Sequence, residues 1–195
     1  MATKYENWTA QDTIDKSLLD NDTHYLSGDI GSDNVGEAIK WIISANLTKK
    51  PKKKLQLWIN STGGDLYEAF ALIDVMKNSY HPITTIGVGA VMSAAFLIFI
   101  AGQQGHRYIG KNTGIMNHQH SDSWESKMHD MKAAMAENVN CEQRALTIIR
   151  DASTMTMADV RKKLNSPSDQ YFSARQLVEL GLADHILCYS KERVK

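Results

Sequence analysis

The stretch TTIGVGAVMSAAFLIFIAG (residues 84–102) is almost entirely apolar, and past its two leading threonines it carries one hydroxyl, Ser93. Its opening, ITTIGV (83–88), is rich in β-branched residues and reads as a strand; GAVM (89–92) reads as a turn, and a helix is expected to begin near Ser93. A buried serine ordinarily bonds a nearby backbone carbonyl. What surrounds Ser93 decides whether this one does something else.

Immediately upstream the same plan occurs once more: a strand KLQLWIN (54–60), a turn STGGD (61–65) and a helix LYEAFALIDVMKNS (66–79). Further out, HYLSG (24–28) reads as a short strand leading into SDNVGEAIKWIISANL (32–47). There Ser32 or Asp33 is expected to cap a helix with Val35, Ala38, Ile39, Ile42 and Ile43 on its apolar face. The basic run TKKPKKK (48–54) reads as a solvated turn. Downstream come two short β-like pieces around GKNTG (110–114) and a long Ala-, Met-, Glu- and Lys-rich helix over 123–151. The helix TMADVRKKL (156–164), an irregular NSPSDQYFS (165–173), the helix ARQLVELG (174–181) and the strand ADHILC (183–188) close the pattern. Residues 1–20 are polar, without sustained periodicity, and read as an arm or loop. Strand–helix alternation of this kind predicts a layered α/β fold.

The chain of 195 residues fits one domain with a real core. Lysine plus arginine and aspartate plus glutamate both number 22, so no global charge pulls it toward nucleic acid or acidic membranes. The two cysteines, Cys141 and Cys188, have no metal-like spacing and fit a reducing compartment. No apolar leader opens the sequence, and the longest apolar run (94–101) is too short to span a bilayer, so a cytoplasmic protein without membrane association is expected.

Both strand–turn–helix units carry glycines at the turn, Gly63 and Gly64 in the first, Gly87 and Gly89 in the second. Neither GxxxxGK[ST] nor GxGxxG is present, so phosphate cradling is not indicated. A serine at the first turn of the second helix would instead face backbone N–H groups from Gly64 and Ala94, a pair suited to a developing oxyanion. Of seven histidines, His118 ends a β-like piece, where a side chain can be aimed. GxSxG is absent, with Val91 and Ala95 where it needs glycines, so the nucleophile elbow of α/β-hydrolases is excluded. Spacing alone leaves a serine–histidine pair open.

Five landmarks in order, INSTGG, the serine within GAVMSAAF, AGQQGHRY, MNHQ and FSA…GLAD, resemble the ClpP family, the proteolytic subunit of the ATP-dependent Clp protease, over residues 24–187. The resemblance implies a ClpP/crotonase-like spiral of βα units with a protruding helical handle over 123–151 and an N-terminal arm or axial loop over 1–20. It makes Ser93 the nucleophile, His118 the general base and Asp169 the third catalytic residue, with Gly64 and Ala94 as oxyanion donors. It further implies a homo-oligomer of heptameric rings stacked as a tetradecamer, unfolded protein or peptide substrates, and an AAA+ unfoldase partner that uses the ATP. No cofactor or metal is implied in this chain.

Three departures from the family pattern stand out. HQHSDSWES (118–126) lacks the glycine pair that usually follows the histidine, in the strand that lines the substrate channel. The interval from His118 to Asp169 is about two residues longer than the family's. Ser168, after Pro167, replaces the arginine that helps link the two rings, so single rings are expected to be more readily populated. Other readings are a crotonase-like acyl-CoA enzyme, which needs no serine–histidine pair here, and a catalytically silent ring subunit. A serine–lysine dyad of the SppA kind would have to use Lys111.

Overall fold

A computed structural model describes residues 9–48, 53–119 and 127–187. At the middle of its sheet lies β3 (Ile83–Met92), flanked by β2 (Leu55–Ser61) and β4 (Arg107–Gly110). Beyond β2 lies β1 (Thr23–Ser27) and beyond β4 lies β7 (His185–Leu187), and all five strands are parallel. Buried parallel strands are apolar on both faces, which is why the sequence around 83–91 shows no polar alternation.

The segment GAVM, expected as a turn, continues β3. Its first half pairs with β2 and β4, whereas Ala90, Val91 and Met92 pair with β5 (Gly114–Asn117). Between the halves the register against β2 slips, Ile59 facing Gly87 but Ser61 facing Val91. Gly89 makes that bend at φ +64°, and a Cβ there would lie 2.4 Å from Asn60 Oδ1. The same oxygen accepts the Ala90 N–H at 3.0 Å, so the bulge is held by a side chain.

Helix α4 (Ala94–Ile100) follows β3, and all seven of its residues are buried. A helix apolar all round belongs inside the core. Burying each of its Leu, Ile and Phe side chains contributes ~1.5–3 kcal/mol. The helix lies on β3 and β2 and packs against α3 (Leu66–Lys77), and α2 (Ser32–Leu47) packs in turn against α3 and β1. On α2 the buried face is Val35, Ala38, Trp41 and Ile42, while Ile43, expected to be inside, is exposed. Its cap is Gly31 rather than Ser32 or Asp33: Asn34 Oδ1 reaches back to accept the Gly31 N–H at 3.1 Å.

Three further expectations are corrected. Residues 10–20 form a helix, α1 (Ala10–Asp20), because Thr9 and Asp12 make a reciprocal capping box. Within the segment expected to be irregular, β6 (Gln170–Phe172) pairs antiparallel with β5. Lys53, placed in a solvated turn, donates its N–H to His81 Nδ1 and pairs its ammonium with Asp22. The long helix is α5 (Met128–Ala152), followed by α6 (Met157–Leu164) and α7 (Ala174–Glu179). Residues 1–8, and those of 120–126 where the family glycines are missing, lie outside the described residues.

Candidate active site

Ser93 sits between the end of β3 and the start of α4 with φ +53° and ψ −124°, a conformation that non-glycine residues rarely adopt. Such strain costs of order 1–3 kcal/mol and persists only where the surroundings enforce it. They do so here: the Ser93 N–H donates to the Met116 carbonyl at 3.0 Å, and Gly63 packs directly beneath. A Cβ on Gly63 would fall 2.6 Å from the Ser93 Cβ, so only glycine fits the turn. The result is a hydroxyl turned out of the core into a cleft of about 240 Å³.

In that cleft Ser93 Oγ lies 2.7 Å from His118 Nε2. With the imidazole proton on Nδ1, the hydroxyl donates to Nε2, the arrangement in which a serine loses its proton as it attacks. His118 arrives there because β5 pairs with β3 one strand-width from Ser93, and His118 is the residue after β5 ends.

The same ladder brings in Asp169. β5 and β6 pair Ile115 with Phe172, Met116 with Tyr171 and Asn117 with Gln170, so the next step places Asp169 opposite His118. Asp169 Oδ1 is 3.8 Å from His118 Nδ1, an ion-pair distance longer than a hydrogen bond, and the aspartate is 53% exposed. The three candidate residues are thus assembled by one strand switch in β3 and one antiparallel ladder.

Gly64 and Ala94 both line the cleft beside Ser93 and His118. Gly64 has φ +147° and bridges to Ile30 in parallel. That bridge is closed by Ile30 N–H to Gly63 O and by Asp65 N–H to Ile30 O. In a parallel bridge the residue between such partners does not spend its own N–H on that bridge, and Gly64 is among the residues that line the cleft. Ala94 is the first residue of α4, so its N–H has no carbonyl partner within the helix. Two backbone donors can therefore converge on an oxygen held next to Ser93.

Several contributors were not singled out from the sequence. Asn117 Nδ2 donates to the Leu164 carbonyl at 2.7 Å and Gln119 Nε2 to the Asn165 carbonyl at 3.2 Å, clamping the end of α6 against the cleft. Outside the cleft lining, Tyr67 on α3 donates to Glu137 Oε1 on α5 at 3.0 Å, and Arg144 reaches the same oxygen at 2.9 Å. Bonding to Cys141 and then to Glu137 pushes the Tyr67 phenol up to about 12, so it stays a donor. These ties join α3 to α5. Only the tertiary arrangement reveals them, since Tyr67 and Glu137 have no sequence signature.

Two aspartates near the end of the chain have other roles. Asp159 is in a capping box with Thr156, as its place in the first turn of a helix predicts. Asp184 receives three hydrogen bonds from Arg107, from its backbone N–H, Nε and Nη2.

Comparison with known proteins places the chain in a family. A family model described as "Clp protease" matches residues 6–190. The chain is 27% identical over 177 residues to ATP-dependent Clp protease proteolytic subunit 1 of Leifsonia xyli subsp. xyli, covering 90% of this chain and 88% of that one. It is 31% identical over 155 residues to the chloroplastic proteolytic subunit 4 of Arabidopsis thaliana, covering 80% and 52%. Against proteolytic subunit 1 of Corynebacterium jeikeium it is 26% identical over 182 residues, covering 93% and 95%. With a mixed α/β fold of the ClpP kind and a family match over nearly its whole length, this chain belongs to the Clp protease family.

Proposed function

We propose that the protein is a serine endopeptidase of the ClpP type, acting on unfolded polypeptides inside a ring-shaped chamber. The observation that carries the reading is the 2.7 Å approach of Ser93 Oγ to His118 Nε2, at a serine held in a strained turn. Ser93 attacks the substrate carbonyl while His118 takes its proton, and Gly64 and Ala94 stabilise the resulting oxyanion. His118 then protonates the leaving amine, and a water deprotonated by His118 releases the acyl group. Asp169 holds the imidazole in the Nδ1–H tautomer and stabilises its charged form; moving less than 1 Å closer would close a hydrogen bond.

The whole chain serves as one peptidase domain in this reading, with the exposed half of α5 as the handle between rings. Unfolding is the work of a separate AAA+ partner, and the setting is the cytoplasm. Among the described residues no helix is long and apolar enough to cross a membrane. The test is a fluorophosphonate probe: it should label Ser93, and Ser93→Ala should lose both labelling and peptide hydrolysis while keeping the particle size of the wild type. Unchanged labelling of the variant would remove the assignment.

A further inference from the structure

The cleft beside Ser93 has a mixed lining, apolar wall from several elements alternating with polar groups, and its one acidic lining residue among the described residues is Glu142. Leu66, Leu97, Leu146 and Leu164 contribute apolar wall, and Glu142 and Asn165 line the same cavity. Glu142, Ala145, Leu146 and Ile149 recur on α5 at spacings of three and four, so they share one face of that helix. Along its axis Glu142 lies ~6 Å from Leu146, at 1.5 Å per residue. The carboxylate is half-buried, and its Oε1 accepts from Asn165 Nδ2 at 2.5 Å. A carboxylate offers about four acceptor positions, so this bond leaves most of its capacity for a donor in the cleft.

We infer that Glu142 makes this cleft select lysine or arginine as the residue whose carbonyl Ser93 attacks. The inference rests on the serine-peptidase reading. A carbonyl held by the Gly64 and Ala94 donors puts its own side chain at the start of the cleft. Leu66 follows Gly64 by two residues and Leu97 follows Ala94 by three, so those side chains are the first wall it meets. A lysine or arginine stem suits that wall, and its charged end suits the carboxylate beyond it. A leucine would fill the apolar part yet leave the half-buried carboxylate without a cationic partner. An acidic residue would meet like charge in a cavity of only about 240 Å³.

A purely structural Glu142 would only tie α5 to the end of α6 through Asn165. Glu142→Gln separates the two roles, because glutamine keeps an oxygen to accept from Asn165 and loses the charge. The experiment compares fluorogenic peptides that differ only in the residue before the scissile bond: lysine, arginine, leucine or glutamate. Matching lysyl and leucyl phosphonate probes are read by mass spectrometry at Ser93. Charge-assisted hydrogen bonds predict kcat/KM for lysine about 10-fold or more above leucine, with the ratio falling by a similar factor in Glu142→Gln. A melting temperature and particle size equal to those of the wild type show that the variant still folds. A wild type that prefers leucine, or a ratio unmoved by Glu142→Gln, overturns the inference while leaving labelling of Ser93 intact. If no peptide is cleaved and neither probe reaches Ser93, the peptidase reading falls with it.

Discussion

Of the candidate residues, Asp169 has the least favourable geometry, and its contribution follows from that. Its carboxylate is 3.8 Å from His118 Nδ1 and half in solvent, so water competes for it. In serine proteases, replacing the orienting aspartate by asparagine costs about 10⁴ in turnover. An exposed and longer contact should be worth less, and we expect Asp169→Asn to lower kcat by ~10² with KM and particle size nearly unchanged. A loss within a few-fold would show that His118 is oriented without it. The sequence brought Ser93 and His118 under suspicion through glycine turns and a strand end, but spacing could not pair them. Their meeting depends on β3 exchanging β4 for β5 as its neighbour, and no local pattern announces that exchange. Asp169 was legible only through family landmarks, since β6 is three residues long and exists by virtue of its pairing with β5.

At the scale of elements, β4, β7 and the ends of α5 and α7 are joined through one buried guanidinium. Arg107 is 2% exposed; besides Asp184 it reaches the Ala152 carbonyl at 2.7 Å and the Gly181 carbonyl at 2.9 Å. Burial works to raise the Asp184 carboxyl, but the hydrogen bonds and charge of Arg107 outweigh it and hold the group below the usual carboxylate range. Breaking a buried pair by removing one charge is costly, so Asp184→Asn should destabilise by about 3 kcal/mol, roughly 6–12 °C in Tm. A folded-state value below the unfolded one means that this stability is present above pH ~4 and is lost as the carboxylate protonates at lower pH. The gap between wild type and variant, measured by denaturant melts across pH, should hold from neutrality to about pH 4 and close below it. A gap that widens with acid would contradict the sign. Repeating elements such as β2, α3 and α4 were legible because their period or uniform apolarity is strong. α1 was not, because none of its residues is buried and its cap, Thr9 with Asp12, carries the only clear signal.

At the scale of the whole molecule, α5 is two helices in character. Its second half buries Cys141, Leu146, Ile149 and Ala152, whereas its first half leaves Met128 and Met135 about 70% exposed, with Met131 and Val139 on the same side. These four residues fall at intervals of three and four, a continuous apolar stripe of the kind that marks an interface. In the proposed assembly it is where two rings meet, so the stripe should govern ring pairing and leave the fold of each subunit alone. Wild type should sediment as rings and double rings, with single rings appearing on dilution more readily than in relatives that keep an arginine at position 168. Met131→Glu with Met135→Glu places like charges where two copies of the stripe approach, and should shift the population to single rings at all concentrations tested. The subunit itself should keep its melting temperature within a few degrees, because neither methionine packs into the core. A wild type that stays monomeric by light scattering at every concentration and salt removes the chamber. Double rings that survive both substitutions instead move the ring contact away from α5. Peptide hydrolysis measured on the same fractions then separates the two levels. Equal turnover per subunit in single and double rings would mean that Ser93 and His118 are set by β3 and β5 alone. A loss on separation would mean that pairing of the rings tightens the α5 wall of the cleft.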